Sequence, residues 1–245
     1  MRNWLISMVA TFVILSSAFL CADDEYQYMD RLALVAGTDK GSSFHNYTEI
    51  YSKYFASLKD KPIKFLEIGI YKGNSVKLWE SYFSQAELHF VDITPGYIQY
   101  FSTRSHYHFV DQANKQEMIN FAQSVGGNFD IIVDDGGHTM QMQMNSFHAL
   151  FPYVKSGGMY IIEDLHTSYW KIYGGNGTFA QPRAGKGTTI QFLQGLVDEM
   201  NYTGAVTQCA DRNKVSPELQ RNLNIYQDQI FSIHFYQSVC IIIKK

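Results

Sequence analysis

From residue 63 onward the chain alternates short apolar runs with stretches of helical period, and this alternation limits the fold more than any other feature. IKFLEIGI (63–70) reads as a buried strand, and NSVKLWESYF (74–83) as the helix after it. AELHFVDI (86–93) and YHFVD (107–111) are the second and third strands, and NKQEMINFAQSV (114–125) is a helix. FDIIVDDG (129–136) is a fourth strand and MQMQMNSFHALFPYV (140–154) a helix. KSGGMYIIEDL (155–165) is a fifth strand entered through a Gly-Gly turn, and TTIQFLQGLVDEM (188–200) is the next helix. Strands alternating with helices of about ten to fifteen residues specify a parallel sheet in an α/β fold. Right-handed crossovers place the helices on both faces. The closing IFSIHFYQSVCIIIKK has no room for a helix between its two apolar runs, so these pair antiparallel. The expected architecture is an open, doubly wound, mostly parallel sheet with an antiparallel C-terminal hairpin.

A helical lead precedes the sheet. Tyr28, Leu32, Leu34 and Val35 form one apolar set. Tyr47, Ile50, Tyr51, Tyr54, Phe55 and Leu58 mark one face of a helix. The loop GTDKGSSFHNY lies between them. The chain therefore divides into residues 1–22, a helical lead over 23–60 and one domain over 61–245. With 5 prolines in 245 residues, no Pro-rich linker cuts that domain. Aromatic residues are 15% and charged residues 18%, the reverse of a disordered chain. A net charge of -3 supplies no basic field for nucleic acid, so none is expected as a partner.

Residues 1–22, MRNWLISMVATFVILSSAFLCA, join one arginine to an uncharged apolar stretch, with Asp23, Asp24 and Glu25 following. That is the pattern of a signal peptide. The apolar part is also almost long enough for a retained anchor. A cleaved signal implies the secretory pathway, the periplasm or the extracellular space; an uncleaved one implies a membrane anchor, and membrane contact is expected only through this segment. Cys209 and Cys240 are enough for one disulfide or are two buried thiols.

In sheets of this kind ligands bind at the carboxyl ends of the strands, where strand order reverses. The first strand ends in Glu67-Ile68-Gly69-Ile70-Tyr71-Lys72-Gly73. Gly69 and Gly73 let the backbone turn sharply and approach a ligand closely; an ordinary strand-to-helix turn would look the same. Asp92, 25 residues after Glu67, is placed to accept hydrogen bonds from ribose hydroxyls, or is simply an exposed strand-end carboxylate. Asp111-Gln112 ends the third strand within reach of a purine edge. Two further strand ends, Asp134-Asp135-Gly136-Gly137-His138 and Glu163-Asp164-Leu165-His166, bring four carboxylates and two imidazoles to one sheet edge. Carboxylates packed together repel one another, and a divalent cation resolves that conflict. Hard oxygen ligands suit Mg2+, Ca2+ or Mn2+ better than Zn2+, so Mg2+ is expected. An imidazole on a glycine-flanked turn is a natural general base. The competing reading is that the carboxylates cap the helices that follow.

These motifs in this order resemble the class I, Rossmann-like, S-adenosylmethionine-dependent methyltransferases. More narrowly, Thr38-Asp39-Lys40-Gly41 with His45 and Tyr47, then DDGGH and ED-x-HTSYW, are similar to the Mg-dependent macrolide-sugar (mycinamicin-type) O-methyltransferases over roughly residues 30–170. The resemblance implies Asp135, Glu163 and Asp164 as Mg2+ ligands and His138 as catalytic base. It implies Glu67, Gly69, Gly73, Asp92, Asp111 and Asp134 around the methyl donor, with Thr38, Lys40 and Tyr51 in a stretch that closes over it. The segment IYGGNGTFAQPRAGKG corresponds to the part that sets acceptor choice. The expected function is O-methylation, from S-adenosylmethionine and with Mg2+, of a hydroxyl on a sugar or glycosylated small molecule. Two alternatives stand beside it: an exported non-catalytic nucleoside- or glycan-binding protein on the same fold, and a nucleotide-dependent oxidoreductase.

Overall fold

Helix α1 (24–36) opens the computed structural model, which describes residues 24–177, 183–208 and 215–245. The expectations for residues 1–22 and for Cys209 fall outside them. In chain order there follow α2 (Tyr47–Phe55), β1 (Lys64–Ile68), α3 (Asn74–Tyr82), β2 (Glu87–Asp92) and β3 (Ser105–Phe109). Then come α4 (Lys115–Ser124), β4 (Phe129–Asp134), α5 (Met140–Leu150), β5 (Val154–Ile162) and α6 (Thr189–Thr207). Two short helices, α7 (Pro217–Asn222) and α8 (Ile225–Gln229), precede β6 (Ile230–Phe235) and β7 (Cys240–Lys244). Among the described residues no helix is long and apolar enough to cross a membrane.

The chain divides into two compact units, one running to Pro62 and including Lys72–Ala86, the other made of Ile63–Tyr71 and Glu87–Lys245. The first holds α1, α2 and α3. Its core is aromatic: Tyr51 stacks on Phe55 with ring centroids 4.9 Å apart, and Trp79 meets Tyr51 edge-on at 5.6 Å and Phe55 at 5.8 Å. Asp30 fixes the loop between α1 and α2, accepting from the Ser42 N–H and hydroxyl and from the Thr48 hydroxyl.

The second unit is a seven-stranded sheet of order β3-β2-β1-β4-β5-β7-β6. The first five strands run parallel, and β7 is antiparallel to both β5 and β6, as the closing hairpin pattern requires. Every residue of β4 is buried, which is why FDIIVD reads as a continuous run instead of an alternating one. Phe147 of α5 packs against Phe151 and Tyr160, inside a cluster that includes Leu66, Ile132 and Ile162. Ile68 pairs with Val91 on one side and Asp134 on the other, and Asp134 pairs with Ile162. This register brings the carboxyl ends of β2, β1, β4 and β5 level at one edge. Strand order reverses between β1 and β4.

Several boundaries differ from expectation. β3 covers Ser105–Phe109, not 107–111, because Ser105 pairs with Leu88 at its start and Asp111 turns the chain at its end. α6 runs on to Thr207. α7 and α8 are set by caps and not by apolar period: Ser216 accepts from the Leu219 N–H behind Pro217, and Asn224 forms a capping box with Gln227. Cys240 is a free thiol, buried, and burial pushes its ionisation well above the ordinary range.

Candidate active site

The site is built where β1 and β4 end side by side. The Asp135 N–H donates to the Ile68 carbonyl at 2.9 Å, and the Gly69 N–H to the Val91 carbonyl at 2.7 Å. Gly69 has φ 99°, and a Cβ on it would lie 2.0 Å from the Asp135 carbonyl oxygen. Only glycine allows this crossing. Beyond it, Asp92 holds the next loop: its Oδ2 accepts from the backbone N–H groups of Ile70 and Tyr71 at 2.9 and 3.0 Å. Tyr71 is itself left-handed, with φ 46°. Asp92 thus shapes the loop after β1 as well as standing at the end of β2.

Asp134 closes β4 fully buried. Its carboxylate accepts from the Gln112 amide at 2.7 Å, the Tyr160 hydroxyl at 3.3 Å and the Gly136 N–H at 3.4 Å. Desolvation outweighs those three bonds, and its pKa is pushed up to about 7. Asp134 therefore points its oxygens at protein partners. Glu67 is likewise buried on β1. Asp111 makes a turn, its Oδ1 accepting from the Ala113 N–H at 2.8 Å.

The next residues face outward. Asp135, His138 and Asp164 each offer one ligand atom, and these atoms lie within 4.8 Å of one another. His138 Nε2 stands 3.6 Å from Asp164 Oδ2. His138 and Asp164 both have left-handed backbones, with φ 56° and 54°, strain of the sort that collects at functional sites. The other imidazole nitrogen, Nδ1 of His138, is buried with no hydrogen-bond partner among the described residues. Two hard carboxylate oxygens and an imidazole nitrogen in one half-buried space suit a hard divalent cation.

Glu163, expected as a third ligand, adjoins Asp164 in the chain. It is buried, its N–H donates to the Asp134 carbonyl, and its own carbonyl accepts from the Gln143 side chain at 2.9 Å. Thr38, Lys40, Tyr51 and Gly73 belong to the helical unit. Lys40 is fully buried, Thr38 and Tyr51 are buried, and Gly73 caps α3 with φ 85°. His166 lies beside the cluster, 4.0 Å from Asp164 and 3.1 Å from the Ser238 hydroxyl. The aromatic residues that follow stand next to it: Tyr173 at 6.2 Å from His138, and Trp170, half exposed, at 4.7 Å from His166. Of the acceptor segment, residues 178–182 lie outside the described residues.

Sequence reasoning singled out Gln112 only as a residue within reach of a purine edge, and overlooked Thr167 as part of this site. Gln112 had a visible signal, its place at the end of the third strand. Thr167 had none beyond the HTSYW run.

A parallel sheet in this order, a glycine crossing after β1 and acidic ends on β2, β4 and β5 are an arrangement in which the chain is similar to the class I, Rossmann-like methyltransferases. Residues 66–165 match the family model described as a methyltransferase domain. Within the class the chain resembles sugar O-methyltransferases. It is 36% identical over 190 residues to the 8-demethyl-8-(2-methoxy-alpha-L-rhamnosyl)-tetracenomycin-C 3'-O-methyltransferase of Streptomyces olivaceus, covering 71% of this chain and 45% of that one. It is 30% identical over 215 residues to the mycinamicin VI 2''-O-methyltransferase of Micromonospora griseorubida, covering 84% of this chain and 50% of that one. The structure of the MycE methyltransferase from the mycinamycin biosynthetic pathway, in complex with Mg, SAH and mycinamycin VI, matches with a TM-score of 0.74 at 27% identity, over 88% of this chain and 53% of that one. The chain spans about half the length of the curated relatives it matches. None of these relatives is named as an oxidoreductase or a binding protein, so neither alternative gains support.

Proposed function

We propose that this protein transfers the methyl group of S-adenosylmethionine to a hydroxyl of a sugar on a glycosylated small molecule, with Mg2+ at Asp135 and Asp164 and His138 as general base. The observation that carries this reading is the cluster of Asp135, His138 and Asp164 at the ends of two adjacent parallel strands. The bound donor supplies an activated sulfonium methyl, and bound Mg2+ supplies Lewis acidity that lowers the pKa of a hydroxyl. The protein's own residues then have two tasks. Asp135 and Asp164 hold the cation, with Glu163 as a third ligand on the reading that its side chain joins them. His138, its Nε2 facing the same space, takes the acceptor proton as the oxygen–methyl bond forms and the sulfur–methyl bond breaks. Gly69 and Asp92 shape the loop after β1 against which the donor is read to lie, with Glu67 and Asp111 nearby in the sheet unit. Alignment of the reacting atoms supplies much of the barrier reduction.

The acceptor class follows from the relatives, whose names specify rhamnosyl and mycinamicin substrates. Exposed Trp170 and half-buried Tyr173 beside His138 suit the apolar face of a sugar ring. The test is calorimetry of the full chain with S-adenosylmethionine, with Mg2+ and then with a chelator, followed by transfer of labelled methyl to mycinamicin VI and to a rhamnosylated tetracenomycin. Donor binding together with chelator-sensitive transfer supports the reading. A folded chain that binds no donor in either condition overturns it.

A further inference from the structure

Resting on that reading of the cluster, we propose that Thr167 is a positioning residue for it, and that its side-chain hydroxyl ties the loop carrying the base to the loop carrying a metal ligand. Thr167 lies in the 3-10 turn Leu165–Tyr169 that follows β5. Its Oγ1 is 3.0 Å from the His138 carbonyl oxygen and 2.8 Å from the Asp164 carbonyl oxygen. One hydroxyl proton is shared between the two, a three-centre bond. The Thr167 N–H also donates to the Asp164 carbonyl at 2.9 Å, so the hydroxyl is anchored on the β5 side before it reaches across to the β4 side. The residue is 2% exposed, so water does not compete for either contact.

The two carbonyls belong to His138 and Asp164, both left-handed members of the cluster. Asp and His enter that conformation more readily than most non-glycine residues, yet it remains a minority state that contacts around it must hold. The direction of each Cα–Cβ bond is fixed by its own backbone, so a rotation at His138 or Asp164 would swing the imidazole or the carboxylate out of the cluster. Their carbonyl groups report that rotation directly, and Thr167 grips both. Thr167 bonds the backbone carbonyls of the two residues and so would act through them on the metal and the base. Partners of this kind outside the coordination sphere set metal affinity, and losing one weakens binding by about 10- to 100-fold.

The experiment uses the full chain and Mn2+ as a spectroscopic probe of the carboxylate site, with its dissociation constant read by electron paramagnetic resonance. Thr167→Val keeps the branched shape and removes the hydroxyl; Thr167→Ser keeps the hydroxyl. The expected result is Mn2+ binding weakened about 10-fold or more in T167V and restored in T167S, with S-adenosylmethionine affinity unchanged in both. A purely structural role would lower the melting temperature and leave Mn2+ affinity of the folded fraction where it was. Equal Mn2+ affinity in T167V and the unsubstituted chain overturns the inference. If T167V loses its cooperative melt, the comparison of T167S with Thr167→Ala decides the point in the same way. An unsubstituted chain that binds no Mn2+ removes the metal reading itself and this inference with it, an outcome distinct from the variants matching a chain that does bind.

Discussion

Gln112 and Asp134 are joined across 22 residues of sequence by a buried hydrogen bond, the Gln112 amide donating to Asp134 Oδ1 at 2.7 Å. The same side chain turns its amide oxygen to the Gly137 N–H at 2.9 Å. One glutamine at the end of β3 therefore braces both the strand end and the loop that leads to His138. The expected outcome of Gln112→Leu is a loss of about 1–3 kcal/mol, because a buried carboxylate loses its shortest donor while desolvation stays. Urea titration of the variant measures this. A midpoint equal to that of the unsubstituted chain would show that Tyr160 and Gly136 suffice for Asp134.

Gly69 makes a sharper prediction. A methyl group there would meet the Asp135 backbone at 2.0 Å from its oxygen and 2.7 Å from its carbon. Backbone cannot rotate away as a side chain can. Gly69→Ala adds a left-handed alanine to that clash, so the β1 and β4 ends must separate. The expected cost is about 2–4 kcal/mol, with S-adenosylmethionine affinity lost more steeply than stability. Thermal melts and calorimetry on the same preparation check both.

How much of this was legible in the sequence depends on which contacts are local. β1 and β4 read as strands because burial on both faces makes them continuous apolar runs, and the β4 and β5 ends read as acidic because Asp135 and Asp164 adjoin those runs directly. The β3 boundary was misplaced because its register is fixed by β2, whose partner residues lie 17 positions earlier in the chain, as in Leu88 with Ser105. Gln112 and Thr167 act through hydrogen bonds to residues 22 and 29 positions away, and no local pattern encodes such pairs.

The roles proposed for the cluster separate in kinetics. His138→Ala removes the proton acceptor and leaves both carboxylates of the cluster in place. The expected result is donor affinity unchanged and turnover reduced roughly 100- to 10,000-fold. Asp135→Asn removes a charged ligand from the cluster, and its expected signature is different: turnover falls and the response to added Mg2+ disappears or moves to much higher concentration. Initial rates across a Mg2+ series for both variants make the comparison. A His138→Ala enzyme with ordinary turnover would remove the imidazole as the base.

The last prediction concerns acid stability and lies away from the cluster, at the β2–β3 edge of the sheet. His89 Nδ1 is 3.1 Å from His108 Nε2, His89 Nε2 is 2.7 Å from Glu87, and His106 stacks on His89 with centroids 5.0 Å apart. Burial pulls His108 down from 6.5 to about 4, helped by the positive field of His89, His106 and Lys64. His89 is also lowered, because burial outweighs the pull of Glu87. Glu117 lines the shallow hollow beside His108 and is the nearby acidic group from α4. For His108 the folded state binds fewer protons than the unfolded state between about pH 6.5 and 4. Stability is therefore fully present above pH 6.5 and lost as pH falls through that window. Half exposure screens the effect, leaving about 1–2 kcal/mol for this residue. His108→Gln keeps a hydrogen-bonding partner for His89 and does not titrate. Denaturant midpoints measured from pH 7 to pH 4.5 should fall less steeply in the variant, the two curves converging towards the acid end. Parallel curves over the whole range would mean that the imidazoles open to water before they charge, and that the edge carries no proton-linked stability.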